Sequence, residues 1–173
     1  RTKQAVAMGF IKTGGYRPAQ IGAETGVAVA VDTAGVLRLI DWSLAMEQAD
    51  APHRDRYPDV MVTGPMLLRG GRSLIPWDST APRHPRSCVG TKADGTVLLM
   101  VVDGRQSRAA GMALCELAYA ARLMGAADAI NLDGGGSSTL WTKGQGIVNA
   151  PSDRMLFFRS ERPVCNAIVV KRK

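Results

Sequence analysis

The densest run of chemically able residues is Asn131-Leu132-Asp133-Gly134-Gly135-Gly136-Ser137-Ser138-Thr139. Three successive glycines destabilise a strand end, so they are expected where main chain must closely approach another group. Their N–H groups suit an anion-binding nest. Ser137, Ser138 and Thr139 add hydroxyl donors, and Asp133 supplies a carboxylate at the turn. The bland alternative is a turn in which Asp133 bonds its own backbone. A second cluster, Asp103-Gly104-Arg105, ends an apolar run, and Arg86 follows Pro85 with a planar fork matched to phosphate oxygens. Should the strands leading to Asp103 and Asp133 be neighbours, two carboxylates share one sheet edge, as glycoside hydrolysis usually requires. Read locally, Asp103 with Arg105 is a surface ion pair and Arg86 a solvent-facing arginine.

Spacing disfavours several other chemistries. No lysine precedes the hydroxyls of the glycine-rich segment, so it is not a P-loop, and Leu140 stands where a nucleophile elbow needs its second glycine. His53 and His84 are the only histidines, leaving few bases for a serine triad, and neither they nor the cysteines show zinc-ligand spacing. No metal or cofactor is therefore expected.

The elements that must position these residues are predicted by periodicity and turn residues. Val27, Val29 and Val31 alternate ahead of Thr33-Ala34-Gly35, and Val36, Leu37, Leu39 and Ile40 follow, which predicts a hairpin from Gly26 to Asp41. Leu44 to Asp59 reads as an irregular or short helical connection. A strand is expected at Val60 to Leu68, interrupted by Gly64-Pro65, with Gly70-Gly71 turning the chain. Arg72 to Pro85, with Pro76, Pro82 and Pro85, reads as a loop. Ser87–Thr91 and Val97–Val102 flank Ala93-Asp94-Gly95 as a second hairpin, whose later strand, apolar on both faces, is expected to be central. Leu114, Leu117, Ala118, Ala121 and Met124 recur at helical spacing, and Gly125 is placed to stop a helix over Ala113–Met124. A strand from Asp128 to Leu132 and a final one from Val164 to Lys171 complete an α+β expectation: one domain over residues 1–173, with a mixed sheet, hairpins and a packed helix.

Bulk properties bound the partners. A chain of 173 residues, 46% of them hydrophobic, supports one sizeable core. The 22 Lys and Arg against 15 Asp and Glu leave a balance of +7, suited to a phosphate-bearing ligand or another polyanion. The excess is scattered, apart from Lys171-Arg172-Lys173, and aromatics make up only 5%, which disfavours nucleic acid as a partner. Cys88, Cys115 and Cys165 sit in apolar segments and read as core packing, although one disulfide remains open. No stretch is apolar and long enough to span a bilayer. The chain opens on Arg1 rather than Met, as expected of a processed chain or a fragment whose targeting segment is out of view.

Taken in order, several segments resemble the phosphodiester glycosidase family. They are Gly64-Pro65-Met66-Leu67, His84-Pro85-Arg86-Ser87-Cys88-Val89-Gly90, Val101-Val102-Asp103-Gly104-Arg105, and Gly111-Met112 with Glu116-Leu117-Ala118. Asp128-Ala129-Ile130-Asn131 leading into the triglycine segment, Asn149 with Pro151-Ser152, and Arg162-Pro163-Val164-Cys165-Asn166-Ala167 complete the series. The family usually reads Pro-Arg-Thr-Ala-Ile-Gly at Pro85-Arg86-Ser87-Cys88-Val89-Gly90, a change that keeps the hydroxyl and the small apolar residues. Ala113 stands where a serine or threonine usually caps the helix, which leaves Glu116 as helix-end chemistry rather than a catalytic acid. Thr13-Gly14-Gly15-Tyr16 matches the family's upstream Asn-Gly-Gly-Phe-Phe only loosely, so part of the N-terminal domain is expected to be missing.

The resemblance implies cleavage between a sugar's anomeric carbon and a phosphodiester oxygen, as in an N-acetylglucosamine-1-phospho-ester. Asp103 and Asp133 are the implied catalytic carboxylates. Arg86, Arg105, Gly134, Gly135, Gly136, Ser137 and Ser138 are the implied phosphate cradle, with Arg162 and Asn166 further candidates for the pocket. An extracytoplasmic location is implied as well. The alternatives are a non-catalytic module binding an anionic glycan, for which the loose upstream match argues, and a glycosidase acting on another linkage.

Overall fold

The structure, a computed structural model, describes residues 7–16, 20–21, 26–42, 56–155, 158–159 and 161–171. The first half of the chain forms β1 (Ala7–Met8), β2 (Ile11–Lys12), β3 (Gln20–Ile21), β4 (Gly26–Val31), β5 (Leu37–Trp42), β6 (Asp59–Thr63), β7 (Met66–Arg69) and β8 (Arg72–Ser73). The second half forms β9 (Arg86–Thr91), β10 (Val97–Val102), helix α1 (Leu114–Leu123) and β11 (Asp128–Asn131), then the short pairs β12 (Trp141–Thr142) with β13 (Gly146–Ile147) and β14 (Arg154–Met155) with β15 (Phe158–Arg159). Two sheets dominate. One runs in the order β10-β9-β11-β7-β8 and the other β2-β6-β4-β5.

These sheets stack face to face with α1 on the far side of the first, and residue size along the strands explains the layering. In β9 and β11, Val89 and Ile130 join Met66, Val29 and Leu39 in a core between the sheets. Their strand neighbours Cys88 and Ala129 turn to the opposite face, where they meet Leu117, Ala118, Ala121 and Ala126. In these two strands large residues thus fill the inter-sheet space, while Cys88 and Ala129 leave room on the helix side for Leu67, Leu68 and Leu117. A Cβ on Gly90 would stand 3.1 Å from both the Ala126 Cβ and the Asp128 carbonyl. On the outer face of the second sheet, Ala28, Ala30 and Val60 pack under Phe10, Trp42 and Tyr57. The Phe10 and Trp42 rings are stacked with centroids 5.0 Å apart.

The chain passes from one sheet to the other at Gly64-Pro65, between β6 and β7. Asn131 fastens that crossing. Its Nδ2 donates to the Gly64 carbonyl at 2.9 Å, its N–H to the Pro65 carbonyl at 3.0 Å, and its own carbonyl accepts from the Thr63 hydroxyl at 3.1 Å.

Both predicted hairpins form, and α1 is capped by Ala113 and Met124, with Gly125 left-handed at φ 88°. Ala113 has no side-chain acceptor, yet the other half of the capping box survives. The Glu116 carboxylate accepts from the Ala113 N–H at 2.9 Å and is also gripped by the Arg83 guanidinium. Those two partners, Arg83 first, hold Glu116 below the usual carboxylate range.

Other expectations are corrected. The protein is mostly β with one helix, so α+β describes it broadly. Every pairing in the two large sheets is antiparallel, and the described parallel pair is the two-residue β1 with β3, so the large sheets are not mixed. β10 is an edge strand rather than a central one, with Val97 and Leu99 exposed, because β9 inserts between it and β11. Val164–Lys171 forms no strand. Its residues lie outside any ladder and mostly exposed, although Ile168 reaches the inter-sheet core. The expected connection at Leu44–Asp59 falls largely on residues outside those described, His53 included. Cys88 and Cys115 are buried as expected, whereas Cys165 is exposed, and all three are free. Burial pushes the Cys88 thiol up to about 12. Among the described residues no helix is long and apolar enough to cross a membrane.

Gly90→Val drives a branched side chain against Ala126 and the start of β11 and is expected to cost about 1–3 kcal/mol, read from the urea midpoint at unchanged slope. A depressed carboxylate stabilises the fold above its unfolded value and loses that contribution as pH falls through its folded one. Glu116→Gln keeps a cap acceptor without the charge, so its unfolding temperature should fall less steeply than wild type between roughly pH 5 and pH 3.

Candidate active site

The segment His84-Pro85-Arg86 enters β9 through a collar of glycines. A Cβ on Gly104 would lie 2.7 Å from the Pro85 nitrogen, one on Gly134 would lie 2.8 Å from the Pro85 carbonyl, and one on Gly111 would overlap the His84 carbonyl. Each glycine therefore admits main chain where a side chain would exclude it. His84 also exchanges backbone hydrogen bonds with Met112, at 3.2 and 3.0 Å. The collar brings the ends of β9, β10 and β11 together.

Arg86 and Arg105 converge at this point. Arg86 Nε donates to the Met112 carbonyl at 3.0 Å. Burial, and after it the nearby Arg105 charge, lowers the Arg86 guanidinium from its ordinary value. Arg105 stands at φ 56°, a left-handed conformation uncommon for a residue with a side chain, and its guanidinium lies over the triglycine turn. A Cβ on Gly135 would be 3.1 Å from Arg105 Nη1. Arg105 Nη2 is 3.4 Å from His84 Nδ1, and because a guanidinium only donates, that ring nitrogen is the acceptor. Among the described residues, no carboxylate lies within ion-pair distance of either arginine.

The triglycine turn supplies room more than donors. Gly134 N–H is taken by Asp133 Oδ1 at 2.8 Å and Gly135 N–H by the Pro85 carbonyl at 2.9 Å. The Ser137 and Ser138 N–H groups close the short helix on Gly134 and Gly135. An open nest of Gly134 and Gly135 amides is therefore not what this turn presents, and the bland reading of Asp133 holds for one of its oxygens. At Gly136 a Cβ would overlap the Asp153 carboxylate, which pairs with Arg162 at 2.8 and 3.2 Å. Arg162 thus reaches the turn already neutralised. Ser138 is 1% exposed and its hydroxyl has no partner among the described residues, so Ser137 and Thr139 are the partly exposed hydroxyls of the segment. Asn166 is exposed, and no described contact joins it to this cluster.

Asp103 and Asp133 differ in their surroundings. Asp133 is exposed at the turn. Asp103 Oδ1 accepts from Asn149 Nδ2 at 3.0 Å and from the Ala150 N–H at 2.9 Å, rather than forming the local pair with Arg105. Asn149 also braces the Ser138 carbonyl and the Leu140 N–H, at 2.9 and 2.8 Å, and Gln106 Nε2 grips the Ala150 carbonyl. Asp103 therefore ties the end of β10 to the loop that carries the hydroxyls. Sequence reasoning gave no role to His84, Asn149 or Asp153. The first two lie inside quoted motifs, while no spacing signal marks Asp153.

Gly136→Ala forces a methyl onto the Asp153 carboxylate and is expected to lose about 1–3 kcal/mol. Asp153→Ala should relieve part of that loss, giving a coupling of about 1 kcal/mol in a double-mutant cycle read by denaturation.

The phosphodiester glycosidase family matches residues 1–171, a range that takes in the upstream segment as well. The catalytic domain of zebrafish N-acetylglucosamine-1-phosphodiester alpha-N-acetylglucosaminidase, auto-inhibited by its pro-peptide, superposes with a TM-score of 0.74 at 23% identity, over 90% of this chain and 55% of that one. A hypothetical protein from Synechocystis is 19% identical with a TM-score of 0.47, over 81% of this chain and 38% of its own. The SPbeta prophage-derived uncharacterized protein YomE of Bacillus subtilis (strain 168) is 36% identical over 76 residues, 44% of this chain and 12% of that protein. This chain thus spans about half of the zebrafish chain and a small part of YomE. A match over nearly the whole sequence identifies the chain as a member of the phosphodiester glycosidase family.

Proposed function

We propose that the protein hydrolyses a sugar-1-phosphodiester, such as an N-acetylglucosamine-1-phospho-ester, to free sugar and phosphomonoester. One observation carries this reading: Arg86 lies near Arg105, which covers the triglycine turn, and among the described residues no carboxylate lies within ion-pair distance of either. Holding like charges close is unfavourable until an anion enters between them, and a phosphodiester supplies that anion together with the bond to be cut. Family membership supports a glycosidase-type hydrolase, and the zebrafish relative's name supplies the substrate class for the proposal.

In the reaction, the bond between the anomeric carbon and the phosphodiester oxygen breaks, and its electron pair leaves with the phosphate. The two guanidiniums stabilise that growing negative charge, doing for this leaving group what a general acid does for an ordinary glycoside. Water adds to the anomeric carbon and gives up a proton. In this scheme Asp133, exposed at the turn with Oδ1 on the Gly134 N–H, accepts that proton or stabilises the cationic sugar. Asp103 serves chiefly through its grip on Asn149 and Ala150, and its charge assists the same centre. Ser137 completes the phosphate contacts, and Arg162 acts through Asp153. An extracytoplasmic location accompanies this proposal on the family resemblance alone.

Sugar release from N-acetylglucosamine-1-phosphate esters tests the reading. Wild type should turn over, and Arg105→Ala or Asp133→Asn, folded by circular dichroism, should lose about 100-fold or more in kcat/KM. Binding of the ester with no sugar released on long incubation would select the non-catalytic glycan-binding alternative instead.

A further inference from the structure

A groove of about 460 Å³ adjoins the arginine cluster and is lined by Trp77, Arg83, Gly111, Met112, Glu116, Tyr119, Ala120 and Leu123. Its volume falls within the range of small-molecule clefts, roughly 300–1,000 Å³. Two of its walls are elements already described. Glu116, Tyr119, Ala120 and Leu123 form a single stripe of α1 at helical spacing, distinct from the Leu117, Ala118 and Ala121 stripe that packs on the sheet. Met112, next to Gly111, makes an isolated bridge with His84, and the Met112 carbonyl holds Arg86. The groove and the candidate phosphate site thus share one piece of backbone.

We propose that this groove is a subsite for a neutral pyranose ring, a further sugar of the same phosphorylated glycan. It rests on the reading of the adjacent site as one for a sugar phosphodiester. The lining is what selects a sugar. Trp77 is 66% exposed and Tyr119 48%, leaving flat aromatic surface for the C–H face of a pyranose. Arg122 lies over the Tyr119 ring at 5.4 Å, so a ligand stacks on what remains of it. The Arg83–Glu116 pair supplies both donors and acceptors for hydroxyl groups. An acyl chain or an apolar protein helix in the same groove would bury that ion pair without replacing its water, which is costly. A sugar ring, apolar on its faces and polar at its edge, meets both requirements.

The test uses the full chain and methyl glycosides of neutral hexoses and N-acetylhexosamines, followed by saturation-transfer NMR and by tryptophan fluorescence. At least one glycoside should bind wild type, and Trp77→Ala and Tyr119→Ala should each weaken it about tenfold or more while circular dichroism stays native. For a phosphodiester carrying an additional sugar, Trp77→Ala should raise KM far more than it lowers kcat. The proposal is overturned if none of the glycosides binds, or if both variants bind as wild type does. Sedimentation showing a dimer that Trp77→Ala or Leu123→Ala dissolves would likewise overturn it, since a second copy would then cover the face. Glycoside binding without turnover of any phosphodiester by wild type would leave the groove in place and remove the activity, so the two readings fail separately.

Discussion

Main chain passing main chain with no side chain between them is the constraint on which the site depends. Around Pro85, the turns after β10 and β11 and the segment before α1 come within a distance that any Cβ would prohibit at Gly104, Gly111 or Gly134. The resulting collar fixes the start of β9 and therefore the position of Arg86. It also sets the turn on which Arg105 rests. Glycine costs stability when the unfolded chain is ordered, and here that cost is offset by contacts which only bare backbone can make.

Electrostatics builds upon this packing. Two guanidiniums brought near one another would ordinarily recruit a carboxylate, yet Asp103 is occupied with Asn149 and Ala150, and Asp153 with Arg162. Asp103 and Asp153 thus stabilise the loops, and among the described residues no ion pair offsets the two guanidiniums. Arg105 departs from ordinary backbone geometry at the point where its side chain covers Gly135, as expected where local strain is over-determined by its surroundings.

The layered core explains why such a site stays in register. Alternation along β9 and β11 sends Val89 and Ile130 toward the second sheet and Cys88 and Ala129 toward α1. A slip of one residue would exchange large and small faces and separate the turns that form the collar. Asn131 adds a polar lock at the crossing between sheets, since its side chain and main chain both bond the Gly64-Pro65 segment. The helix, held on the sheet by its Leu117, Ala118 and Ala121 stripe, is left with a second stripe facing the groove beside Arg83.

The sequence by itself determined the local elements: both hairpins, the helix with its left-handed Gly125, and the importance of the triglycine turn follow from periodicity and from residues with special backbone freedom. It also carried the family resemblance, because order and spacing of motifs survive in a linear chain. Tertiary structure decided what these motifs do for one another. The apolar Val97–Val102 reads as central, but strand order places it at an edge, and Val164–Lys171 has strand composition without a ladder to join. Asp153 beside Gly136, His84 beside Arg105 and the spent amides of Gly134 and Gly135 depend on contacts between distant segments, about which local propensity carries no information. Hydrogen-bond donors and space look the same in a glycine-rich sequence, and only the neighbours' positions distinguish them.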